Sequence, residues 1–171
     1  MKYYIKSGSL YRIKDEQSMT RIVTVKDPAF TTKKCLEAEN KEFYTDIRLH
    51  NTAGNLNDSE YVLYDKSKNC IAAAKPKFDP DIHDWSVTQV LHVNCASVDI
   101  KGIPYELHML NSQNYRLTRH DSTIAVEIIQ NGISGGWTVT IEKENEFEPV
   151  ILLGVFFFCR YLEKENECVF I

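Results

Sequence analysis

The chain has 171 residues, of which 43% are hydrophobic and 26% charged, and this composition predicts one globular domain spanning residues 1–171. Its 24 acidic and 20 basic residues give a formal net charge of −4, which argues against nucleic acid as a partner and against a general attraction to an anionic membrane.

The N-terminus and the cysteines indicate where the protein resides. Residues 1–6 lack the continuous apolar run of about 7–15 residues that a signal peptide requires, so we expect a cytoplasmic protein. The five cysteines are widely spaced and form no CxxC pair, so they match neither a disulfide framework nor a zinc finger. We therefore expect reduced, mostly buried thiols, no bound metal and no cofactor.

Residues 2–142 consist of short runs rich in Val, Ile, Tyr and Thr, separated by polar turns, a pattern typical of antiparallel β proteins. Segments 61–64 and 70–75 are predicted to form a hairpin across a polar loop. Later strands are predicted at 103–109, 115–119, 124–129 and 137–141. In the first of these, apolar residues occupy every second position and leave Glu106 and His108 on the opposite face. We expect about ten to twelve strands in all.

The last part of the chain has a different pattern. Residues 150–159 are apolar without alternation, and a charged run follows at 160–167. Pro149 suits a first helical position, and Arg160 and Lys164 suit the negative end of a helix dipole. These features predict a helix over residues 149–164 that is buried on all sides.

This apolar run is too short to cross a membrane. As a helix it reaches only about 15 Å, half of a hydrocarbon core of about 30 Å, so no transmembrane segment is expected. An antiparallel sheet buries such a helix by closing around it. The sequence therefore predicts a mostly β fold, a closed antiparallel barrel of about 12 strands wrapped around one apolar C-terminal helix.

Three stretches, residues 64–78, 107–137 and 147–167, are similar in layout and character to the tubby C-terminal-like family, in its bacterial or LURP-one-related branch. That family also includes the phospholipid scramblases. The resemblance implies the same barrel around a C-terminal helix and a non-enzymatic binding role. In some tubby proteins the ligand is a phosphoinositide headgroup, held by Lys and Arg on the barrel surface.

Four cations are candidates for an anionic ligand. Lys75 and Lys77 flank a proline after a predicted strand, and Arg116 and Arg119 lie on the strand at 115–119. Two or three such cations that converge near an aromatic side chain can bind a phosphate. The alternative is ordinary surface charge.

Other motifs favour structural interpretations. Ser134 lies in a GxSxG pattern, but a nucleophile elbow needs a following helix, and here a strand is predicted. The five histidines are scattered singly, and the Asp79–Asp84 cluster lacks the Gly and Glu of a calcium loop.

We therefore expect a binding or scaffold module, not an enzyme, that recognises an anionic phospholipid headgroup or a protein partner. The alternatives are a calycin-like carrier of a small apolar ligand and a serine hydrolase centred on Ser134.

Overall fold

The computed structural model describes residues 1–15, 18–26, 32–49, 59–78 and 93–167. Within them the chain forms a closed barrel of twelve antiparallel strands and one α-helix. The strands are β1 (Lys2–Lys6), β2 (Ser9–Asp15), β3 (Ser18–Val25), β4 (Lys34–Ala38), β5 (Lys41–Leu49), β6 (Ser59–Asp65), β7 (Cys70–Lys77), β8 (Cys95–Ile100), β9 (Ile103–Asn111), β10 (Asn114–Arg119), β11 (Ile124–Gln130) and β12 (Trp137–Ile141). The helix α1 is Pro149–Glu167.

Each strand pairs with its neighbours in sequence, and β12 pairs with β1 to close the barrel. The predicted fold class, the predicted hairpin and the four later strands are confirmed. One predicted core position is wrong: Ile103 is 56% exposed because it directly follows the turn between β8 and β9.

The helix lies inside the barrel, where it contacts β2 to β7 and β9. Leu152, Leu153 and Phe158 are fully buried, and the Phe158 ring lies 6.2 Å from the ring of Tyr61 on β6. The helix also extends beyond the predicted residue 164 to Glu167. The helix was predicted to be buried on all sides, and residues 150–162 confirm this except at Phe157 and Arg160, which are half-buried. No helix in the described ranges is long and apolar enough to cross a membrane.

Hydrogen bonds fix the C-terminal end of the helix to the barrel wall. The side-chain amide of Asn166 donates to the Val93 carbonyl at 2.8 Å, and its oxygen accepts from the Val93 N–H at 3.0 Å. The Glu165 carboxylate accepts hydrogen bonds from the hydroxyls of Ser59 and Tyr61. These bonds fix the position of the helix along the barrel axis.

Two glycines permit close approaches. A Cβ at Gly154 in the helix would lie 2.7 Å from a methyl of Leu63, so the helix backbone approaches β6 closely. At the closing pair of strands, Gly136 has a φ of +74°, and a Cβ there would lie 2.5 Å from the Ile5 carbonyl oxygen. The Tyr4 hydroxyl donates to the Gly135 carbonyl at 2.7 Å across the same seam.

Candidate functional site

A row of polar residues crosses the outer face of the barrel from β7 to β11. Strand register pairs Lys77 with Cys95, Cys95 with His108, His108 with Arg116 and Arg116 with Glu127. Side chains that are directly opposite on neighbouring strands share a face. On β9 the alternate residues Leu107 and Met109 are buried in the core, so His108 and the four residues in register with it project outward. We call these five residues the outer row.

Glu106 lies two residues before His108 on β9 and joins the outer row from the same face. Its carboxylate accepts a hydrogen bond from the Cys95 thiol at 3.4 Å and lies 3.3 Å from His108 Nε2. Lys77 forms an ion pair with the same carboxylate. One acidic side chain thus gathers a thiol, an imidazole and an ammonium group on an exposed sheet.

The charges and burial in this cluster shift three pKa values. Its hydrogen bond with Lys77 holds the pKa of Glu106 below its ordinary value, and the same bond raises the pKa of Lys77. Partial burial, together with the hydrogen bond to Glu106, raises the pKa of Cys95 to about 11. The thiol is therefore protonated at neutral pH, which is unsuited to nucleophilic catalysis because the thiolate is the reactive form.

An open pocket of about 420 Å³ lies next to the cluster. Its polar lining residues are Asn94, His108, Arg116, Thr118 and Ser122, and its apolar lining includes Met109, Leu110 and Ile124. Leu110 is 45% exposed and Ile124 39% exposed, so apolar surface lies open beside a guanidinium group. We call this the outer pocket.

Of the four predicted binding residues, three lie on the outer face. Lys75 is exposed on β7 and pairs in register with Ser97. Lys77 is engaged with Glu106, and Arg116 Nε lies 3.0 Å from the Glu127 carboxylate. Three inter-strand spacings separate Lys77 from Arg116, which puts their backbones about 14 Å apart. The two cations therefore do not converge on one phosphate group.

Arg119 has a different environment. It pairs in register with Tyr105, whose buried side chain faces the interior, so Arg119 lies on the inner side of the wall at one end of the barrel. Its guanidinium group forms ion pairs with Glu142, at 2.7 Å, and with Glu146, at 2.5 Å. These carboxylates raise the pKa of Arg119 above its ordinary value. The side chain is only 16% exposed, and the structure does not bring it to the outer pocket.

The remaining motifs fall in turns or outside the described residues. Ser134 ends a 3₁₀ turn (Gly132–Ser134) that leads toward strand β12, and its hydroxyl donates to the Asn131 carbonyl at 2.8 Å. It therefore lies in a turn between strands and not in a strand–helix elbow. The Asp79–Asp84 cluster, three of the histidines and Cys168 lie outside the described residues.

The other four cysteines have free thiols, but only Cys159 is buried. The expectation that most thiols are buried is therefore wrong for the part of the chain that the structure describes. Cys35 and Cys95 are half-buried and Cys70 is exposed. Because Cys95 lies on the outer face of β8 and is only half-buried, solvent can reach its thiol.

Comparisons of the chain with protein-family models, with curated proteins and with solved structures find no match. The fold is a closed antiparallel barrel around a C-terminal helix. The resemblance to the tubby-like family stays a prediction that depends on the three stretches named above.

Sequence reasoning placed Glu106 and His108 on one face of a strand but did not find Cys95 beside them. The thiol is eleven positions from Glu106, and only the register between β8 and β9 brings the two together. A sequence signal did exist. The turn at Lys101 and Gly102 sets the hairpin register, which pairs position 95 with position 108.

Proposed function

We propose that the protein is a non-enzymatic binding module whose ligand binds at the outer pocket. One observation carries this proposal: Arg116, a set of polar hydrogen-bonding groups and two exposed apolar side chains, Leu110 and Ile124, line the same depression. Exposed apolar side chains beside a cation suit a ligand that has both an anionic group and an apolar part.

The interior of the barrel favours this surface over the alternative of a carrier for small apolar molecules. Side chains of α1 such as Leu152, Leu153 and Phe158 occupy the barrel axis and are fully buried. Protein interiors pack at close to crystal density, so cargo would have to displace the helix. A ligand on the outer face needs no such rearrangement.

Two features support a role without catalysis. The Ser134 hydroxyl donates to the Asn131 carbonyl within its own turn, and partial burial together with the hydrogen bond to Glu106 keeps the Cys95 thiol protonated. A nucleophile is activated by a base that accepts its proton or by a lowered pKa. The Ser134 hydroxyl donates to a carbonyl and not to a base, and the pKa of Cys95 is shifted upward and not downward.

The ligand that we propose is an anionic phospholipid headgroup. Arg116 would contact the phosphate, and the exposed Leu110 and Ile124 would contact the apolar side of the membrane interface. A cation near a bilayer contributes about 1 kcal/mol and is screened beyond a Debye length of about 8 Å at physiological ionic strength. Arg116 lines the outer pocket without Lys75 or Lys77, so binding should be weak and should be lost at moderate salt.

Liposome flotation tests this proposal. Wild-type protein should float with vesicles that contain anionic lipid at low salt, and not with neutral vesicles. Arg116→Gln should reduce flotation, and Leu110→Asn should reduce it without a change in charge. Both side chains are partly exposed, so each substitution should change the free energy of unfolding by less than about 0.5 kcal/mol.

Arg21→Gln is the matched control. Arg21 is exposed on β3, on another side of the barrel, and its substitution removes the same charge from the whole protein. It should float like the wild type. If the wild type does not float at low salt, the lipid proposal is wrong and a protein partner becomes the better explanation of the pocket. If Arg21→Gln reduces flotation as much as Arg116→Gln, the outer pocket is not the contact surface.

A further inference from the structure

We propose that Cys95, Glu106 and His108 form a binding site for a divalent transition-metal ion of the zinc class on the outer face of the barrel. The ligand atoms of these three side chains all lie within 4.8 Å of one another. The inference depends on this geometry and does not require lipid binding, although His108 also lines the outer pocket.

The backbone around the site is regular. All three residues lie on one hairpin, β8 and β9, in which Cys95 is directly opposite His108 and Glu106 is two residues away on the same face. Strands β7 and β10 flank this hairpin on both sides. Cys95 is the first residue of β8, so the site lies near one end of these strands but within a sheet that is paired on both sides. Ligands on paired strands suit the precise geometry that a metal ion requires.

The distances fit a tetrahedral ion. Zinc bonds of about 2.3 Å to sulfur and about 2.0–2.1 Å to nitrogen or oxygen place neighbouring ligand atoms about 3.3–3.5 Å apart. The Cys95 sulfur lies 3.4 Å from Glu106 Oε1, and His108 Nε2 lies 3.3 Å from Glu106 Oε2. Both distances are close to the tetrahedral value, but they involve the two oxygens of one carboxylate, so binding through a single oxygen requires a small rotation of the Glu106 or His108 side chain. These side chains are 39% and 37% exposed, which leaves space for such a rotation.

The donor types define the class of metal. Thiolate and imidazole favour zinc, cobalt, nickel and copper over magnesium and calcium, which prefer oxygen ligands. When the ion binds, the sulfur–metal bond replaces the S–H bond and the proton passes to solvent. One thiolate and one carboxylate then balance the charge of the ion. Three protein ligands leave a fourth position for water, as in zinc sites that exchange ligands.

Lys77 occupies the position of a competing cation. Its ammonium group forms an ion pair with the same Glu106 oxygen that accepts the Cys95 hydrogen bond. A divalent ion with three ligands would displace this single ammonium, because it gains the thiolate and imidazole bonds as well. Removal of the Lys77 charge should therefore strengthen metal binding. If no metal ion binds at Glu106, the same substitution should have no effect on zinc binding.

Cobalt titration of the full-length chain, treated with a chelator and kept reduced, tests the proposal. Co²⁺ should produce a thiolate-to-cobalt charge-transfer absorption, and Zn²⁺ should abolish that absorption by competition. Cys95→Ser, Glu106→Gln and His108→Asn should each weaken zinc binding by more than the roughly 10–100-fold that loss of a residue orienting a ligand costs. Circular dichroism of each variant shows whether it has kept its fold.

The controls use residues of the same type at other positions. Cys70→Ser removes an exposed thiol on β7 and should leave the cobalt spectrum unchanged. Lys77→Met should tighten zinc binding by about five-fold or more, as expected for removal of a unit charge at about 4 Å in a watery environment. Lys75→Met, on the same strand, should have little effect.

Three results would overturn the proposal: no charge-transfer absorption at micromolar protein and excess Co²⁺, an absorption that survives Cys95→Ser, or zinc affinity that is the same in folded Glu106→Gln and wild-type protein. Because liposome flotation does not use these readouts, failure of the metal site and failure of lipid binding are distinguishable.

Discussion

Substitution of Gly154 by alanine tests the close approach of the helix to the barrel wall. Two effects of opposite sign compete. Alanine stabilises a helix interior by about 1 kcal/mol relative to glycine. The added Cβ, however, would lie 2.7 Å from one Leu63 methyl and 3.3 Å from the other. Leu63 is fully buried, so its side chain has no free space into which to move.

The steric effect should be the larger one. Overpacking of a well-filled core typically costs about 1–3 kcal/mol, so Gly154→Ala should lower the free energy of unfolding by up to about 2 kcal/mol in spite of the better helix propensity. Equilibrium urea unfolding, followed by circular dichroism, measures this difference.

The same substitution in a Leu63→Ala background separates the two effects. Leu63→Ala alone should cost about 2–5 kcal/mol because it leaves a cavity beside the helix. In that background the two terminal methyl groups of Leu63 are gone, so Gly154→Ala should now stabilise the protein by about 1 kcal/mol. If Gly154→Ala has the same effect in both backgrounds to within about 0.5 kcal/mol, the two sites are uncoupled and the packing of helix against β6 is not as described.

Three further predictions concern the core, the barrel seam and the thiols. Truncation before Pro149 should abolish folding, because loss of ten buried apolar residues at about 1.5–3 kcal/mol each exceeds a typical total stability of about 5–15 kcal/mol; a folded truncated chain in circular dichroism would contradict this. Gly136→Ala should destabilise by about 2 kcal/mol or more in urea unfolding, since its Cβ would meet the Ile5 carbonyl at 2.5 Å and the residue has a positive φ. If Gly136→Ala unfolds at the same urea concentration as the wild type, the contact between β1 and β12 is less tight than described. A thiol-alkylating reagent should label Cys70 in the native protein and Cys159 only after unfolding, because burial raises the pKa of the Cys159 thiol and excludes the reagent. Peptide mass spectrometry at short labelling times checks the order.

Much of the fold was predictable because the spacing of apolar residues along a strand or helix indicates which of its sides is buried. Alternation along residues 103–109 identified a strand with Glu106 and His108 on its outer face, and the structure confirms both positions. The unbroken apolar run at 150–159 identified a helix with no solvent face. The closed barrel followed because a sheet that surrounds a helix buries all its sides.

The candidate site could not be read in the same way, because it depends on which strands are neighbours and in what register. The sequence identified four candidate cations but did not show which side of the barrel wall each side chain faces. Arg119 faces inward toward Glu142 and Glu146, and Lys77 is paired with Glu106. Spacing along the chain gives a distance across strands only when the turn that joins them is recognised, and the sequence analysis did not use the turn at Lys101 and Gly102 to connect Cys95 with His108.

The sequence by itself determined the β-rich character, the places of β6, β7 and β9 to β12, the single helix and its burial, since these follow from periodicity and from the hydrophobic effect acting on each segment. Only the tertiary structure decided the surface chemistry. Hairpin register places a thiol, a carboxylate and an imidazole within 4.8 Å, and a guanidinium beside exposed Leu110 and Ile124. The physical reason is that burial is a property of each residue, whereas a binding site is a property of pairs that folding brings together.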